Sequence, residues 1–248
     1  MMNLLEKKKI TVLYEDDQII ALDKPAPFLS IPDRYDHAEE NLSSILSAVY
    51  GEIFVVHRLD KETSGVILFA KTAEAHRILS MAFEGREVEK EYFAIVQGTP
   101  AEKEGVIDIP IIEHSKKKGM MVPAKNGKPS ITEYRVIQSF DRFSTLALFP
   151  RTGRTHQIRV HCKAIGHPLA VDRTYGEREA FFLSEIKKNY KRGSSFDEER
   201  PVIARCTLHA KSIRFCHPAD GRPMFIESPV PKDMNALISQ LSKLRRNG

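Results

Sequence analysis

His57-Arg58-Leu59-Asp60-Lys61-Glu62-Thr63-Ser64-Gly65-Val66-Ile67-Leu68-Phe69-Ala70 sets one carboxylate, Asp60, in a polar turn between apolar segments. Ile53-Phe54-Val55-Val56 leads into the turn and Val66-Ile67-Leu68-Phe69-Ala70 leaves it. Both are short and rich in β-branched or aromatic residues, as buried strands are. Thr63, Ser64 and Gly65 suit the turn, because hydroxyls bond nearby backbone and glycine reaches dihedrals closed to other residues. A carboxylate held there can act as nucleophile, base or ion-pair partner, and spacing alone also fits a turn closed by a salt bridge.

Working outward toward the N-terminus, Leu42, Ile45, Leu46 and Val49 recur at helical spacing. Before them, Ile10–Tyr14 and Ile19–Leu22 read as a hairpin turning at Glu15-Asp16-Asp17-Gln18. Lys24-Pro25-Ala26-Pro27 ends its second strand, since proline cannot donate to a sheet ladder, and a polar loop follows to about Asp36. On the other side, Ala73 to Phe83 reads as a helix with Thr72 as its cap. Lys90 to Gly98 alternates as a strand with Tyr92, Ala94 and Val96 on one face. A tyrosine so placed is ordinarily a core residue with its hydroxyl at the edge.

Residues 101–130 show little regular pattern and carry Lys116-Lys117-Lys118-Gly119, then Lys125 and Lys128, which fits a basic hairpin or loop. Such a run is either a solvated surface or a phosphate-contacting edge. Thr132–Ile137 and Ser144–Phe149 read as paired strands. Pro150 to Pro168 then reads as a strand end, a glycine turn and a helix stopped by Gly166 and Pro168. Arg154, Thr155 and His156 fall at that helix's N-terminus, where unpaired amides favour an anion, and Arg159 lies one turn further in. His156 and His161 are five apart and share no helix face, which makes a poor metal pair.

Residues 177–200 shift to charged and small side chains around Lys187–Arg192, read as a short helix running into a basic surface insertion. Thr207–Phe215 and Met224–Glu227 pair across Asp220-Gly221, and Leu237, Ile238, Leu241 and Leu244 make the C-terminal segment an amphipathic helix. Cys206, His209, Cys216 and His217 match no usual zinc spacing, and strand alternation accounts for them more simply. Hairpins mixed with helices point to an α+β sheet rather than a regular βαβ repeat.

The chain has 248 residues, 42% of them hydrophobic, with a net charge of +5. That excludes a disordered chain as the main expectation and favours an anionic partner. Three cysteines form no even framework or paired CxxC motif. There is no apolar signal core in Met1–Lys9 and no apolar run of membrane length, so a soluble cytoplasmic protein is expected.

Together the two focal stretches resemble the RluA-type family of pseudouridine synthases. The likeness rests on His57-Arg58-Leu59-Asp60 with Thr63-Ser64-Gly65, Lys90-Glu91-Tyr92 with Ala94, Val96 and Gly98, and Thr152 through His161. It extends to Asp23-Lys24-Pro25, Gly166-His167-Pro168, Asp172, Tyr175-Gly176 and Leu208-His209-Ala210, so it spans nearly the whole chain. In this order and spacing the landmarks are specific, and they displace the simple salt-bridge reading of Asp60.

The resemblance implies an α+β catalytic domain whose mixed, largely antiparallel sheet forms two halves with flanking helices and a central RNA-binding cleft. A single catalytic domain is expected over 1–248, with 1–9 as an extension; as departures from the family pattern, no separate N-terminal RNA-binding domain of the kind found in some relatives is expected, and 177–200 is read as a basic insertion that helps select RNA. The reaction implied is isomerisation of a uridine already in RNA, without cofactor or metal; ribosomal or transfer RNA is the expected partner, no membrane is expected, and the protein is expected to be a monomer. Asp60 matches the catalytic aspartate, Tyr92 the active-site tyrosine, and Arg159 the basic residue that pairs with the aspartate. The target base must leave its stack to meet Asp60. Arg58 matches the position that fills the vacated space, while Arg154, His156 and Gln157 are candidate RNA contacts. A catalytically silent RNA-binding protein of the same fold, and a glycosylase releasing free uracil, are the competing classes.

Overall fold

A computed structural model describes residues 4–8, 10–33, 36, 38–187 and 199–244, the side chain of Leu244 excepted. The basic insertion expected around Lys187–Arg192 therefore lies, beyond Lys187, outside the described residues. The chain forms two compact units, Met1–Tyr92 with His209–Pro229 and Phe93–Leu208 with Val230–Gly248.

In the first unit, β1 (Thr11–Glu15) and β2 (Ile19–Lys24) form the expected antiparallel hairpin. Asp16 organises its turn, Oδ1 accepting from the amides of Gln18 and Ile19 at 2.8 and 2.9 Å. Helix α2 (Leu42–Tyr50) is capped by Asn41, and after the two-residue β3 (Phe54–Val55) comes β4 (Ser64–Ala70), buried along its whole length. Helix α3 (Ala73–Glu84) is capped by Thr72, whose hydroxyl accepts from the Ala75 amide at 3.1 Å. β2 runs antiparallel to β4. Its Ile20 and Leu22, with Ile67 and Phe69, meet Leu42, Ile45 and Leu46 of α2. Ile19, Ala21, Val66 and Leu68 meet Ala75 and Leu79 of α3 on the other side. A helix on each face explains why Val66–Ala70 reads as a continuous apolar run rather than an alternating one.

The other edge of β4 is shared. β3 takes its end, with Phe54 opposite Ala70, and is shorter and less buried than the strand expected over Ile53–Val56. β11 (Leu208–Cys216) takes its start in parallel, His209 opposite Ser64 and Ala210 opposite Gly65, and β12 (Pro223–Glu227) returns antiparallel on β11. Gly65 has φ +112°, and a Cβ there would stand 2.1 Å from the Ala210 carbonyl oxygen. Gly65→Ala is expected to cost about 3 kcal/mol or more through strain and overpacking. That corresponds to a melting point lower by on the order of 10 °C. A shift of less than a degree would show that the two strands separate freely. Leu5, in the four-residue helix α1 (Leu4–Lys7), is 1% exposed and joins this core, where the sequence suggested only an extension.

In the second unit the strand order is β5 (Glu89–Gln97, which enters from the first unit), β10 (Phe143–Pro150), β9 (Ile131–Ser139) and β6 (Glu104–Asp108). β9 is antiparallel to both neighbours, Tyr134 opposite Leu148 and Glu133 opposite Val106. β7 (Ile111–Glu113) and β8 (Met121–Pro123) form a separate two-stranded hairpin with Lys116–Lys118 at its tip. The core gathers Phe93, Ile95, Phe143, Val171, Phe181 and Ile203 around Met234, Leu237 and Leu241 of α5 (Lys232–Leu244). Arg205 fixes the start of α5 by donating from Nε and Nη2 to Asp233, each at 2.7 Å. The short helix expected after Glu177 is a single 3-10 turn, Leu183–Glu185. Among the described residues no helix is long and apolar enough to cross a membrane.

Candidate active site

Asp60 sits in the connection between β3 and β4, in a turn held by other residues' backbone and side chains. The Thr63 amide donates to the Asp60 carbonyl at 3.0 Å and the Phe28 amide to the Lys61 carbonyl at 2.9 Å. The buried Ser30 hydroxyl brackets Leu59, donating to its carbonyl at 2.9 Å and accepting from its amide at 3.1 Å. Lys24, 0% exposed, spends its ammonium on the carbonyls of Pro25 (3.1 Å), Phe28 (2.6 Å) and Lys61 (3.1 Å). A buried cation is tolerable only when so well supplied with acceptors. Lys24 thus clamps the Lys-Pro loop to the Asp60 turn. Lys61 itself pairs with Glu39.

Arg58 is exposed, and among the described residues it has no ion pair. His57 is structural. Its Nε2 accepts from the Leu68 amide at 2.9 Å and its ring stacks on Phe83, centroids 4.8 Å apart. Burial, with the charge of Lys90 adding, pushes the imidazole down to about 3, which favours the neutral ring that an accepting Nε2 requires.

Tyr92 packs partly buried against the cluster that includes Leu59, Ile67 and Ala210. Among the described residues its hydroxyl has no hydrogen-bond partner. Burial first, and the nearby charge of Asp60 second, hold the phenol well above its ordinary range. Tyr92 is therefore a neutral ring beside a carboxylate, able to stack on a base or donate a proton but not a standing base at neutral pH.

The second unit carries the other candidates on α4 (Gln157–Ala164), whose N-cap is His156. Thr152 Oγ1 donates to Gln157 Oε1 at 2.7 Å and the Arg154 amide to the same oxygen at 3.0 Å. Gln157 Nε2 donates to the Ile131 carbonyl and to Thr132 Oγ1, both at 2.9 Å. His161, fully buried, bonds Thr132 Oγ1 and the Ile109 carbonyl, both at 2.9 Å, and burial lowers its pKa. Gln157 is 4% exposed, and all four of its amide positions are committed. Its side chain, offered with the family resemblance as a candidate RNA contact, is spent within the protein, where it fastens α4 to β9. Arg154, by contrast, is exposed, its Nε reaching the Pro129 carbonyl at 3.4 Å.

Arg159 is 5% exposed and donates from Nε and Nη2 to the two oxygens of Asp172, each at 2.7 Å. Asp172 Oδ1 also accepts from the amides of Thr174 and Tyr175 at 2.9 and 3.0 Å. Burial opposes the charge of Asp172, but the Arg159 bonds and these amides win, and its pKa is lowered. The guanidinium carbon lies 4.9 Å from the centroid of the Tyr175 ring. The family resemblance pairs Arg159 with Asp60; the structure gives it a bidentate partner in Asp172, which stands out in the sequence only as a landmark.

One unit thus brings together Arg58, Asp60 and Tyr92, and the other Arg154, His156, Gln157 and Arg159. Of the cysteines and histidines whose spacing matches no zinc pattern, the two histidines have separate partners. His209 bonds Ser64 Oγ at 3.0 Å and the Ser228 carbonyl at 3.3 Å, while His217 bonds Asp16 at 2.8 Å. Among the described residues there is no cluster of three or more His, Cys, Asp or Glu fit to hold a metal.

The sequence profile of the family described as RNA pseudouridylate synthase matches residues 18–164. The ribosomal large subunit pseudouridine synthase D of Nitrosomonas europaea is 36% identical over 240 residues, which are 95% of this chain and 66% of that protein. The dual-specificity RNA pseudouridine synthase RluA of Escherichia coli is 36% identical over 223 residues, 89% of this chain and 93% of that one. Among solved structures, human RNA pseudouridylate synthase domain containing 1 superposes with a TM-score of 0.67 at 25% identity, covering 94% of each chain. Human RNA pseudouridylate synthase domain containing 4 gives 0.71 at 23% identity over 97% and 96%, a likeness of fold alone.

Proposed function

This chain belongs to the RNA pseudouridylate synthase family, isomerases that act on RNA, and we propose that it converts particular uridines of structured ribosomal or transfer RNA to pseudouridine, with Asp60 as the attacking group. The glycosidic bond from nitrogen breaks, the base turns, and the same sugar carbon is rejoined through a ring carbon. One proton leaves that carbon and one is taken up at nitrogen, so atoms balance without a redox partner. Asp60 can attack either the sugar or the pyrimidine ring, and in either route it must be ionised first. Arg159 is assigned to the same reaction as the cation that favours an ionised aspartate. Tyr92 stacks on the extruded uracil, and Arg58 enters the space the base leaves, since a guanidinium can stack while bonding phosphate.

The observation that carries this reading is the Asp60 turn, a carboxylate fixed by Ser30, Lys24 and backbone bonds beside the neutral ring of Tyr92. The dual-specificity name of the Escherichia coli relative, 93% of whose length is matched, supports more than one RNA target, and the ribosomal large subunit name of the Nitrosomonas europaea relative supports ribosomal RNA among them. Pseudouridine mapping of total RNA from matched strains with and without the gene tests it. Loss of one or a few defined sites, restored by the wild type but not by Asp60→Asn, is the expected result. Unchanged maps together with no turnover of RNA transcripts by the purified protein would leave RNA binding without catalysis. Release of free uracil would instead make it a glycosylase.

A further inference from the structure

Tyr175 is 3% exposed, and the chemistry above gives it no part. Its ring lies against the guanidinium of Arg159, and its amide shares Asp172 Oδ1 with that side chain. Its hydroxyl is a junction. The Met121 amide donates to it at 2.8 Å, and His156 Nδ1 lies 2.8 Å away. With the oxygen accepting from Met121, the hydroxyl proton can point to His156 Nδ1 in the neutral tautomer that keeps a proton on Nε2. His156 has φ 55° and ψ 16°, a left-handed backbone uncommon for a residue with a side chain, and such backbones gather at functional sites.

Met121 belongs to β8, so the hydroxyl also reports on the β7–β8 hairpin. A two-stranded hairpin of three-residue strands is marginal by itself. Its packing on the rest of the unit runs through a small cluster in which Met120 and Met121 meet Ile111, Val160 and Tyr175. At the tip, Lys116, Lys117 and Lys118 are exposed and, among the described residues, have no acidic partner. Three such cations on a weakly held hairpin suit a polyanion.

We propose that Tyr175 is a positioning residue that couples engagement of the RNA backbone by the β7–β8 lysines to the orientation of Arg159 and His156. The coupling is mechanical: the hydroxyl bonded to Met121 and the ring stacked on Arg159 are one rigid group, so the hairpin cannot shift without moving the face that supports the guanidinium. By linkage, ordering of Arg159 on the substrate also tightens the hairpin. This inference rests on the reading that the protein isomerises uridine in RNA.

The test is a double-mutant cycle on steady-state kinetics with a transcript that the wild type modifies. Tyr175→Phe, which keeps the ring, is expected to raise KM by roughly fivefold to tenfold, the worth of one buried hydrogen bond, with kcat within about twofold. Tyr175→Leu, which also removes the ring, is expected to lower kcat as well, by roughly tenfold. Neutralising Lys117 and Lys118 to glutamine should cost less in the Tyr175→Phe background than in the wild type, because the connection is already cut. Equal fold-effects in both backgrounds, or wild-type KM and kcat in Tyr175→Phe, would make Tyr175 a packing residue only. If the wild type turns over no RNA, the functional reading fails, and the coupling is then judged by amide exchange. RNA should protect the hairpin amides in the wild type and not in Tyr175→Phe, and equal protection in both overturns the proposal.

Discussion

Asp60→Asn is expected to bind RNA within about twofold of the wild type and to lose turnover by about 10,000-fold or more, the scale seen when a sole nucleophile is removed. Asparagine has nearly the shape of aspartate, but its amide lone pair is delocalised into the carbonyl and it carries no charge with which to attack. The turn should survive. Its bonds through the Asp60 carbonyl, the Ser30 hydroxyl and the Lys24 ammonium are left in place by the substitution. Single-turnover conversion of a labelled uridine, beside a binding isotherm, separates the two effects. Turnover within tenfold of the wild type would remove Asp60 from the chemistry.

The other large effect is expected at Asp172. Asp172→Ala leaves the guanidinium of Arg159 buried without its bidentate acceptor, and breaking a buried pair from one side costs about 3–5 kcal/mol. Asp172→Asn should cost less, because a carbonyl oxygen remains, but it removes a charge whose pKa the fold lowers. The sign follows from that lowering. A carboxylate with a depressed folded pKa contributes stability in full above its unfolded value near ~4, and the contribution is lost as pH falls through the folded value. Denaturant melts from pH 7 down to pH 3 should therefore show the wild type losing stability toward acid and Asp172→Asn doing so less. Some acid slope should remain in the variant. Asp16 is held at about 2 against burial by the Tyr14 hydroxyl, the Gln18 and Ile19 amides and His217, and His57, pushed down to about 3 by burial, must take up a proton toward acid, so both add to that slope. A loss below about 1 kcal/mol in Asp172→Ala would mean that the pair is solvated after all.

Elements with a burial period were legible directly. The hairpin at Asp16, the capped helix after Thr72, the buried run Val66–Ala70 and the pairing across Gly221 all follow from local alternation and local turn chemistry. The residue types at Asp60, Tyr92 and Arg159, in their order and spacing, pointed to the chemistry and the family. What failed to show were elements whose partners lie elsewhere in the chain. β6 is a mostly exposed strand defined by its pairing with β9, whereas the β7–β8 hairpin falls within the stretch read as a basic hairpin or loop. Polar side chains were the least legible. The family resemblance offered Gln157 as an RNA contact, but its side chain is buried and its four bonds are made within the protein.

The sequence by itself determined which residues can do chemistry and which local segments turn, pair or coil, because those depend on side-chain type and on neighbours a few positions away. Only the tertiary structure decided which polar groups are spent on one another: Arg159 on Asp172, Ser64 on His209 across 145 positions, and the Tyr175 hydroxyl on a hairpin 54 positions earlier. Hydrogen-bond partnership is a property of distance in space, and a buried donor takes whichever acceptor the packing brings within about 3 Å.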